Sequence, residues 1–276
     1  SGDRRIVVAV LDDGFDLNHP DFQGQNKIVA ATDFVSGDNQ PFPPSSDHSY
    51  HGTSCAGLAI AECNGTGVVG VAPGCSFMPV RFPFAASDDL LIDIFEAVGQ
   101  VSDVISCSWG PPPVNAALTT PLADTIHRIA TQAGPRGKGC VICFAASNFN
   151  APINAPADPN GFVWLNPTTR RREITTDAIV NGYAAHPDVI AVAASTSLNQ
   201  HAAYSNWGQE ISVCAPSNNS HPLNPNIFVP GLGIWTMLDQ GFSSNSTPAG
   251  YTRSFGGTSS ATPIVAGVAA LVLSAN

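Results

Sequence analysis

Short runs of apolar residues alternate along this chain with segments that carry a helical pattern. The first run, residues 5–11, is rich in β-branched residues and ends at an Asp-Asp-Gly turn. A strand that is apolar on both faces is expected in a parallel sheet that is covered on both sides. Similar runs occupy residues 76–82, 103–108, 139–145, 188–194 and 211–215, and helical patterns occupy residues 53–62, 88–101, 118–133 and 259–274. The alternation predicts an α/β fold: a mainly parallel twisted sheet with helices on both faces.

The charge balance excludes some classes of partner. The chain has 21 acidic and 11 basic residues among 276, which gives a formal net charge of −10. Phosphate-rich surfaces need clustered Lys and Arg, and no apolar run reaches the roughly 18–20 residues that span a bilayer. We therefore expect neither nucleic acid nor a membrane as a partner. We find no internal repeat or linker, and we expect one domain over residues 1–276, cut from a longer protein whose N-terminal segment and C-terminal region are absent.

Seven cysteines cannot all pair within one chain, and most of them lie in apolar surroundings. The spacing of Cys140 and Cys143 resembles a redox or metal motif, but residues three apart in a strand point to opposite faces. We interpret the cysteines as buried structural thiols. Free thiols favour a reducing compartment such as the cytoplasm.

Three short segments each place a reactive side chain among small residues. Asp12 ends the first apolar run, His51 opens a helical pattern in His-Gly-Thr-Ser, and Ser259 opens another in Gly-Gly-Thr-Ser-Ser-Ala. Singly, the aspartate could cap a turn and the other two could cap helices. Brought together, they form an activated nucleophile, in which the histidine takes the serine proton and a buried aspartate orients the histidine.

These segments resemble the catalytic signatures of the subtilisin-like serine proteases, the subtilases, and the resemblance extends over essentially the whole chain. It implies a subtilisin-like fold and hydrolysis of peptide bonds in polypeptide substrates through an acyl-enzyme. Asp12, His51 and Ser259 would then be the catalytic residues. Asn148, in Phe-Ala-Ala-Ser-Asn, matches the residue whose side-chain amide serves the family's oxyanion hole.

The segments around Asp12, His51 and Ser108 most resemble the kexin/furin-like branch, which cleaves after basic residues. In that comparison Ser108, Trp109 and Gly110 form the edge strand that pairs with substrate, and Asp13 matches the acid of the second subsite. The acidic run that the branch carries after Gly110 is replaced here by Pro-Pro-Pro-Val. We take Asp158 as the best replacement acid and predict cleavage after Arg or Lys, with broad subtilisin-type specificity as the alternative.

A loop in the sequence Asn-Gly-Thr-Gly follows the His51 helix and resembles the subtilase loop that wraps a calcium ion. The resemblance implies Ca²⁺ bound by the side chains of Asp21 and Asn64 and by the carbonyls of Glu62, Thr66 and Val68. A plain helix-ending turn and a glycosylation acceptor at Asn64 are the alternatives. The family also draws a ligand from a segment before the first strand, and that segment could be a separate N-terminal fragment of the same protein.

Other functional classes fit less well. An α/β-hydrolase esterase needs Ser before Asp before His, whereas the order here is Asp, His, Ser. A catalytically dead subtilase that serves as a binding scaffold remains the alternative from another class. We interpret His48 as a residue at the edge of the cleft. The loop-like stretch 151–176 carries Arg170, Arg171 and Arg172, which we interpret as a solvated loop or hairpin tip.

Overall fold

The computed structural model describes residues 1–43, 51–242 and 247–276. Its strands are β1 (Val7–Asp12), β2 (Thr32–Asp33), β3 (Ser76–Arg81), β4 (Val104–Cys107), β5 (Asn115–Ala116), β6 (Val141–Ala145), β7 (Asn154–Ala155), β8 (Phe162–Leu165), β9 (Arg172–Thr175), β10 (Ile179–Asn181), β11 (Ile190–Ser195), β12 (Val213–Pro216), β13 (Ile234–Met237) and β14 (Tyr251–Phe255). Its helices are α1 (His51–Ile60), α2 (Asp88–Gly99), α3 (Thr120–Gln132) and α4 (Thr258–Ser274). His48 lies outside the described residues, as does most of the predicted loop 41–49.

The main sheet has seven strands in the order β12-β11-β6-β4-β1-β3-β2, and every neighbouring pair is parallel. The six apolar runs of the sequence all became strands of this sheet, so the predicted α/β fold is confirmed. Smaller antiparallel hairpins, β8-β9 and β13-β14, lie outside it.

Alternation along the strands divides the core between the two faces of the sheet. In β1, Val8 and Val10 pack with α1 and α4, whereas Ala9 and Leu11 pack with α2 and α3. All four of these side chains are fully buried. A strand that is apolar on both faces therefore fixes a three-layer arrangement, with helices above and below the sheet.

The two cysteines with redox-like spacing point to opposite faces, as the strand geometry predicts. Cys143 packs in the core beside α1 and α4, and Cys140 packs in the core beside α2 and α3. Both are buried, whereas Cys63 and Cys214 are exposed. No helix among the described residues is long and apolar enough to cross a membrane.

Candidate active site

Asp12 is the last residue of the central strand β1, and its side chain is fully buried. The carboxyl end of a parallel strand is where α/β folds collect reactive groups. Its Oδ1 accepts hydrogen bonds from Asp13 N at 2.9 Å and from His51 Nδ1 at 2.7 Å. Its Oδ2 has no hydrogen-bond partner within the described ranges. The negative charge of this carboxylate is therefore directed at the imidazole.

His51 is the first residue of α1, and its side chain is 32% exposed. Burial lowers the pKa of His51, but the charge of the Asp12 carboxylate beside Nδ1 outweighs burial and raises the pKa well above the ordinary value. The Asp13 carboxylate accepts a hydrogen bond from Gly52 N at 2.9 Å and so caps α1. Adjacent acids thus perform two tasks: one orients the histidine, and the other holds its helix.

Ser259 lies in the first turn of α4, where its Oγ donates to Ser108 O at 3.2 Å. Pro263, four residues later, has no N–H to donate to the Ser259 carbonyl. That carbonyl instead accepts from Ser108 Oγ at 3.1 Å and from Cys55 Sγ at 3.5 Å. The proline thus ties the serine-bearing turn to the end of β4 and to α1.

Cys55 is a second potential nucleophile in the centre, with its Sγ 3.9 Å from His51 Nδ1. Burial raises the pKa of Cys55 to about 11. A thiol with such a pKa stays protonated near neutral pH, and only the thiolate is an effective nucleophile. This leaves the serine hydroxyl as the nucleophile that the centre offers.

Asn148 follows β6, at the same edge of the sheet. Its Oδ1 accepts from Thr258 N at 2.7 Å and from Thr258 Oγ1 at 3.0 Å, which leaves Nδ2 as the donor end of the amide. Gly257 has a φ of 76°, and a Cβ there would lie 3.3 Å from Asn148 Nδ2. Glycine therefore serves both the turn before α4 and the space around this donor.

His51, Asn148 and Ser259 line one cleft of about 820 Å³. The sequence-predicted substrate-binding residues Asp13, Ser108, Trp109 and Gly110 also line it. The remaining walls are mostly aromatic and apolar and include Phe82, Phe84, Leu91, Leu118, Phe149 and Tyr183. Asp158 is not among the lining residues, and its carboxylate accepts from Asn160 N at 2.8 Å in a local turn. The cleft therefore offers large apolar surfaces and few carboxylates.

The predicted calcium residues come together beside α1. Asp21 is fully buried, and its carboxylate accepts from Asn64 Nδ2 at 3.0 Å and from Val68 N at 3.3 Å. The Asn64 oxygen accepts from Thr66 N and Oγ1, each at 3.0 Å, and the Glu62 side chain pairs with Arg4 at 2.6 Å. A buried carboxylate, an amide and loop carbonyls are donors of the kind that calcium prefers. The set fits calcium once the Asn64 amide turns its oxygen inward.

Some contacts in the site were not predicted from the sequence. The bonds from Ser108 and Cys55 to the Ser259 carbonyl could have been sought, because Pro263 leaves that carbonyl without a helical donor. Two other features depend on residues that are far apart in sequence. One is the hydrogen bond from Thr258 N to Asn148 Oδ1, and the other is the place of Pro167 in the cleft wall. No local pattern signals them.

Comparison with known proteins identifies the family. The model of the subtilase family, peptidase S8, matches residues 3–276. A calcium-dependent protease of a Nostoc species is 39% identical over 291 residues, covering 98% of this chain and 39% of that protein. Subtilisin E of Bacillus subtilis is 30% identical over 273 residues, covering 98% of this chain and 55% of that protein.

The kexin-like branch is represented by a partial match. A dibasic-processing endoprotease of Schizosaccharomyces pombe is 33% identical over 146 residues, which is 52% of this chain and 20% of that protein. Among solved structures, the Aeromonas sobria serine protease in complex with a chaperone superposes with a TM-score of 0.72 at 22% identity, covering 98% of this chain and 47% of that one. The chain thus spans about two fifths to a half of the length of the first relatives. It belongs to the subtilase family of serine proteases.

Proposed function

We propose that this chain is a serine endopeptidase region in which Ser259 forms an acyl-enzyme with the substrate. The observation that carries the proposal is the 2.7 Å hydrogen bond between buried Asp12 and His51, on the cleft that Ser259 also lines. This bond occupies Nδ1 of the imidazole and leaves Nε2 to accept a proton.

In the proposed reaction, the Oγ of Ser259 bonds to the substrate carbonyl carbon while its proton passes to Nε2 of His51. The carbonyl electron pair moves to the oxygen, which the Asn148 Nδ2 and the backbone N–H of Ser259 would stabilise. Collapse of this intermediate breaks the C–N bond, and His51 returns the proton to the leaving amine. Water then repeats the sequence on the acyl-enzyme. The serine must first rotate away from Ser108 O, and such rearrangement on substrate binding is common.

A fluorophosphonate probe tests the mechanism without knowledge of the substrate. We expect it to label Ser259, and we expect Ser259→Ala to abolish both labelling and casein hydrolysis, with a loss of about 10⁶-fold in turnover. Ser260→Ala is a matched control, because this neighbouring hydroxyl is buried and bonded to Ser217 rather than exposed to the cleft. Equal labelling of the wild type and Ser259→Ala would contradict the mechanism, and a folded wild type that takes no label would favour the inactive scaffold.

For specificity, the apolar walls of the cleft favour broad cleavage of the subtilisin type. Trp109 illustrates this: its indole N–H is held by Leu11 O at 3.1 Å, and its ring packs against Phe82 and Tyr183. Cleavage after Arg or Lys is the second candidate, and the carboxylate of Asp13 in the cleft wall, which matches the acid of the second subsite, favours basic substrates more generally. A cleavage profile on a peptide library separates the two, because the first predicts Leu or Phe before the cleaved bond and the second predicts Arg or Lys.

We also propose structural calcium at the loop formed by Asp21, Asn64 and the carbonyls of Glu62, Thr66 and Val68. The contact between Asp21 and Asn64 supports it, as does the similarity to the calcium-dependent protease of Nostoc. An N-terminal fragment of the same protein could supply a further ligand. Because a ligand that binds only the folded state stabilises it, calcium at about 100 Kd should raise the Tm by about 5 °C, and Asp21→Ala should remove the rise. An unchanged Tm between chelator and millimolar calcium would eliminate this site.

A further inference from the structure

The hairpin formed by β8 and β9 packs against segments that line the candidate cleft. Trp164 of β8 is buried, and its ring meets that of Phe149 edge-on at 5.4 Å, one residue beyond Asn148. On the other strand, Thr175 Oγ1 donates to Pro113 O at 2.6 Å. The hairpin is therefore attached to the segments that follow both β6 and β4, and each of these segments contributes residues to the cleft wall.

The turn of this hairpin is held in one conformation by Asn166. The side-chain oxygen of Asn166 accepts from Thr168 N at 2.9 Å and Thr169 N at 3.0 Å, and its carbonyl accepts from Arg170 N at 2.9 Å. Arg170 has a φ of 56°, which folds the chain back towards β9. Arg170 therefore lies in the same turn as Pro167, and Pro167 lines the cleft.

Three consecutive arginines, Arg170, Arg171 and Arg172, occupy the end of the hairpin; we call them the arginine tip. All three are exposed, and none forms an ion pair with a residue that the structure describes. Other arginines do so, as in the pairs Arg81–Asp33 and Arg136–Asp103. The adjacent acid, Glu173, instead accepts from Asn166 Nδ2 at 2.7 Å. A chain with a net charge of −10 thus keeps an uncompensated cationic cluster beside the cleft.

We propose that the arginine tip is a substrate-recognition element that binds acidic segments of polypeptides as they enter the cleft. The inference rests on the proposed peptidase function. Guanidinium groups bind carboxylates through paired, charge-assisted hydrogen bonds. Charges on the rim of a site act mainly on association, and salt screens them. Two carboxylates, those of Asp13 and Asp88, line the otherwise mostly apolar cleft, and the cationic tip lies at its rim, so the site has a charge asymmetry that a substrate can match.

The test uses two internally quenched peptides that differ only in flanking residues, Asp and Glu in one and Asn and Gln in the other. At low ionic strength we expect wild type to cleave the acidic peptide with a kcat/KM about 3–10-fold higher, mainly through KM. The advantage should vanish at about 0.5 M salt. The variant Arg170→Gln/Arg171→Gln/Arg172→Gln should lose the preference while it cleaves the neutral peptide as well as wild type does, which also shows that it folds.

A matched pair of single variants controls for overall charge. Arg171→Gln should reduce the preference, whereas Lys138→Gln should retain it, because Lys138 is an exposed cation before β6, at the end of the sheet opposite the cleft. A wild type without preference, or a triple variant that keeps it, would overturn the inference while hydrolysis of the neutral peptide leaves the peptidase function intact. If neither peptide is cleaved, the peptidase function fails instead. Fluorescence anisotropy of the acidic peptide bound to Ser259→Ala, with and without the arginine tip, then decides whether the tip binds acidic chains.

Discussion

The two helices that carry the reactive side chains begin in opposite ways. At the start of α1, the Asp13 carboxylate accepts from Gly52 N at 2.9 Å, so a negative charge closes the positive end of the helix. At the start of α4, Gly257 is the N-cap and offers no side-chain acceptor. Amides of the first turn have no acceptor within their own helix. In α4, Thr258 N donates to Asn148 Oδ1 and Ser260 N donates to Gly257 O, which leaves the Ser259 N–H between them available to a ligand.

The difference follows from the charge that develops beside each helix N-terminus in the proposed reaction. Near α1, the imidazole of His51 becomes a cation during the proposed reaction, and a carboxylate beside it offsets the helix dipole. Near α4, the substrate oxygen becomes an anion, and an acid at this N-cap would repel it. Asn148 replaces such an acid: its neutral oxygen binds Thr258 N at 2.7 Å, and its N–H group points away from that bond. The N-terminus of α1 is thus capped by a carboxylate beside the base, whereas the N-terminus of α4 has no acid and can bind an oxyanion.

Removing the side-chain amide of Asn148, beside the N-terminus of α4, should produce the larger effect on kcat. In Asn148→Leu we expect kcat to fall by about 10²–10³-fold with little change in KM, because the lost donor acts mainly on charge that develops in the transition state. Steady-state kinetics on any cleaved peptide measures this. Asn160→Leu is a control at another exposed asparagine, outside the cleft. A parallel rise in KM would mean that Asn148 binds the ground state instead.

At the N-terminus of α1, the pKa of His51 sets the pH dependence of kcat/KM. His51 must be neutral to accept the serine proton, and its pKa is raised above the ordinary 6.5. The kcat/KM should therefore fall as the pH drops through that raised pKa, by about tenfold per pH unit below it. NMR titration of the imidazole gives the same pKa in Ser259→Ala. Adding Asp12→Asn removes the carboxylate charge, and burial should then move the pKa down. An unchanged pKa in the double variant would mean that Asp12 does not control the imidazole.

Much of this arrangement could be predicted from the sequence because its signals are local. The apolar run that ends at Asp12 predicts a strand buried on both faces, and small residues around His51 and Ser259 favour helix starts. As predicted, His51 lies at the start of a helix, and Asp13, distant in sequence, accepts from Gly52 N in the first turn of α1.

What could not be predicted depends on long-range packing. Asp158 was chosen as a pocket acid from its position after Asn148, yet its carboxylate accepts from Asn160 N and Nδ2 in a local turn and does not line the cleft. Its role in specificity stays a prediction that the geometry does not favour. The stretch 151–176, predicted to be loop-like, contains the short strand β7 and the paired strands β8 and β9, and Trp164 of β8 packs against Phe149. The assignment to a reducing compartment also stays a prediction.

The smallest expected effect separates the two tasks of Asp13, which caps α1 and lines the cleft. Asp13→Ala removes both the cap and the charge, whereas Asp13→Asn keeps a cap acceptor and removes only the charge. We expect the free energy of unfolding to fall by about 0.5–2 kcal/mol in Asp13→Ala and to change little in Asp13→Asn. Thermal denaturation should show a Tm lower by about 1–4 °C in the alanine variant alone.

Asp89→Ala provides the control, because it removes an exposed acid from the first turn of α2, where Ser87 already caps the helix. If Asp13 also attracts basic side chains of the substrate, Asp13→Ala and Asp13→Asn should lower kcat/KM for Arg- or Lys-containing peptides equally, relative to Leu-containing ones. Equal Tm values for the two variants would show that the bond to Gly52 N contributes nothing to stability. Unchanged discrimination in both would remove Asp13 from substrate binding and leave it as the residue that closes α1.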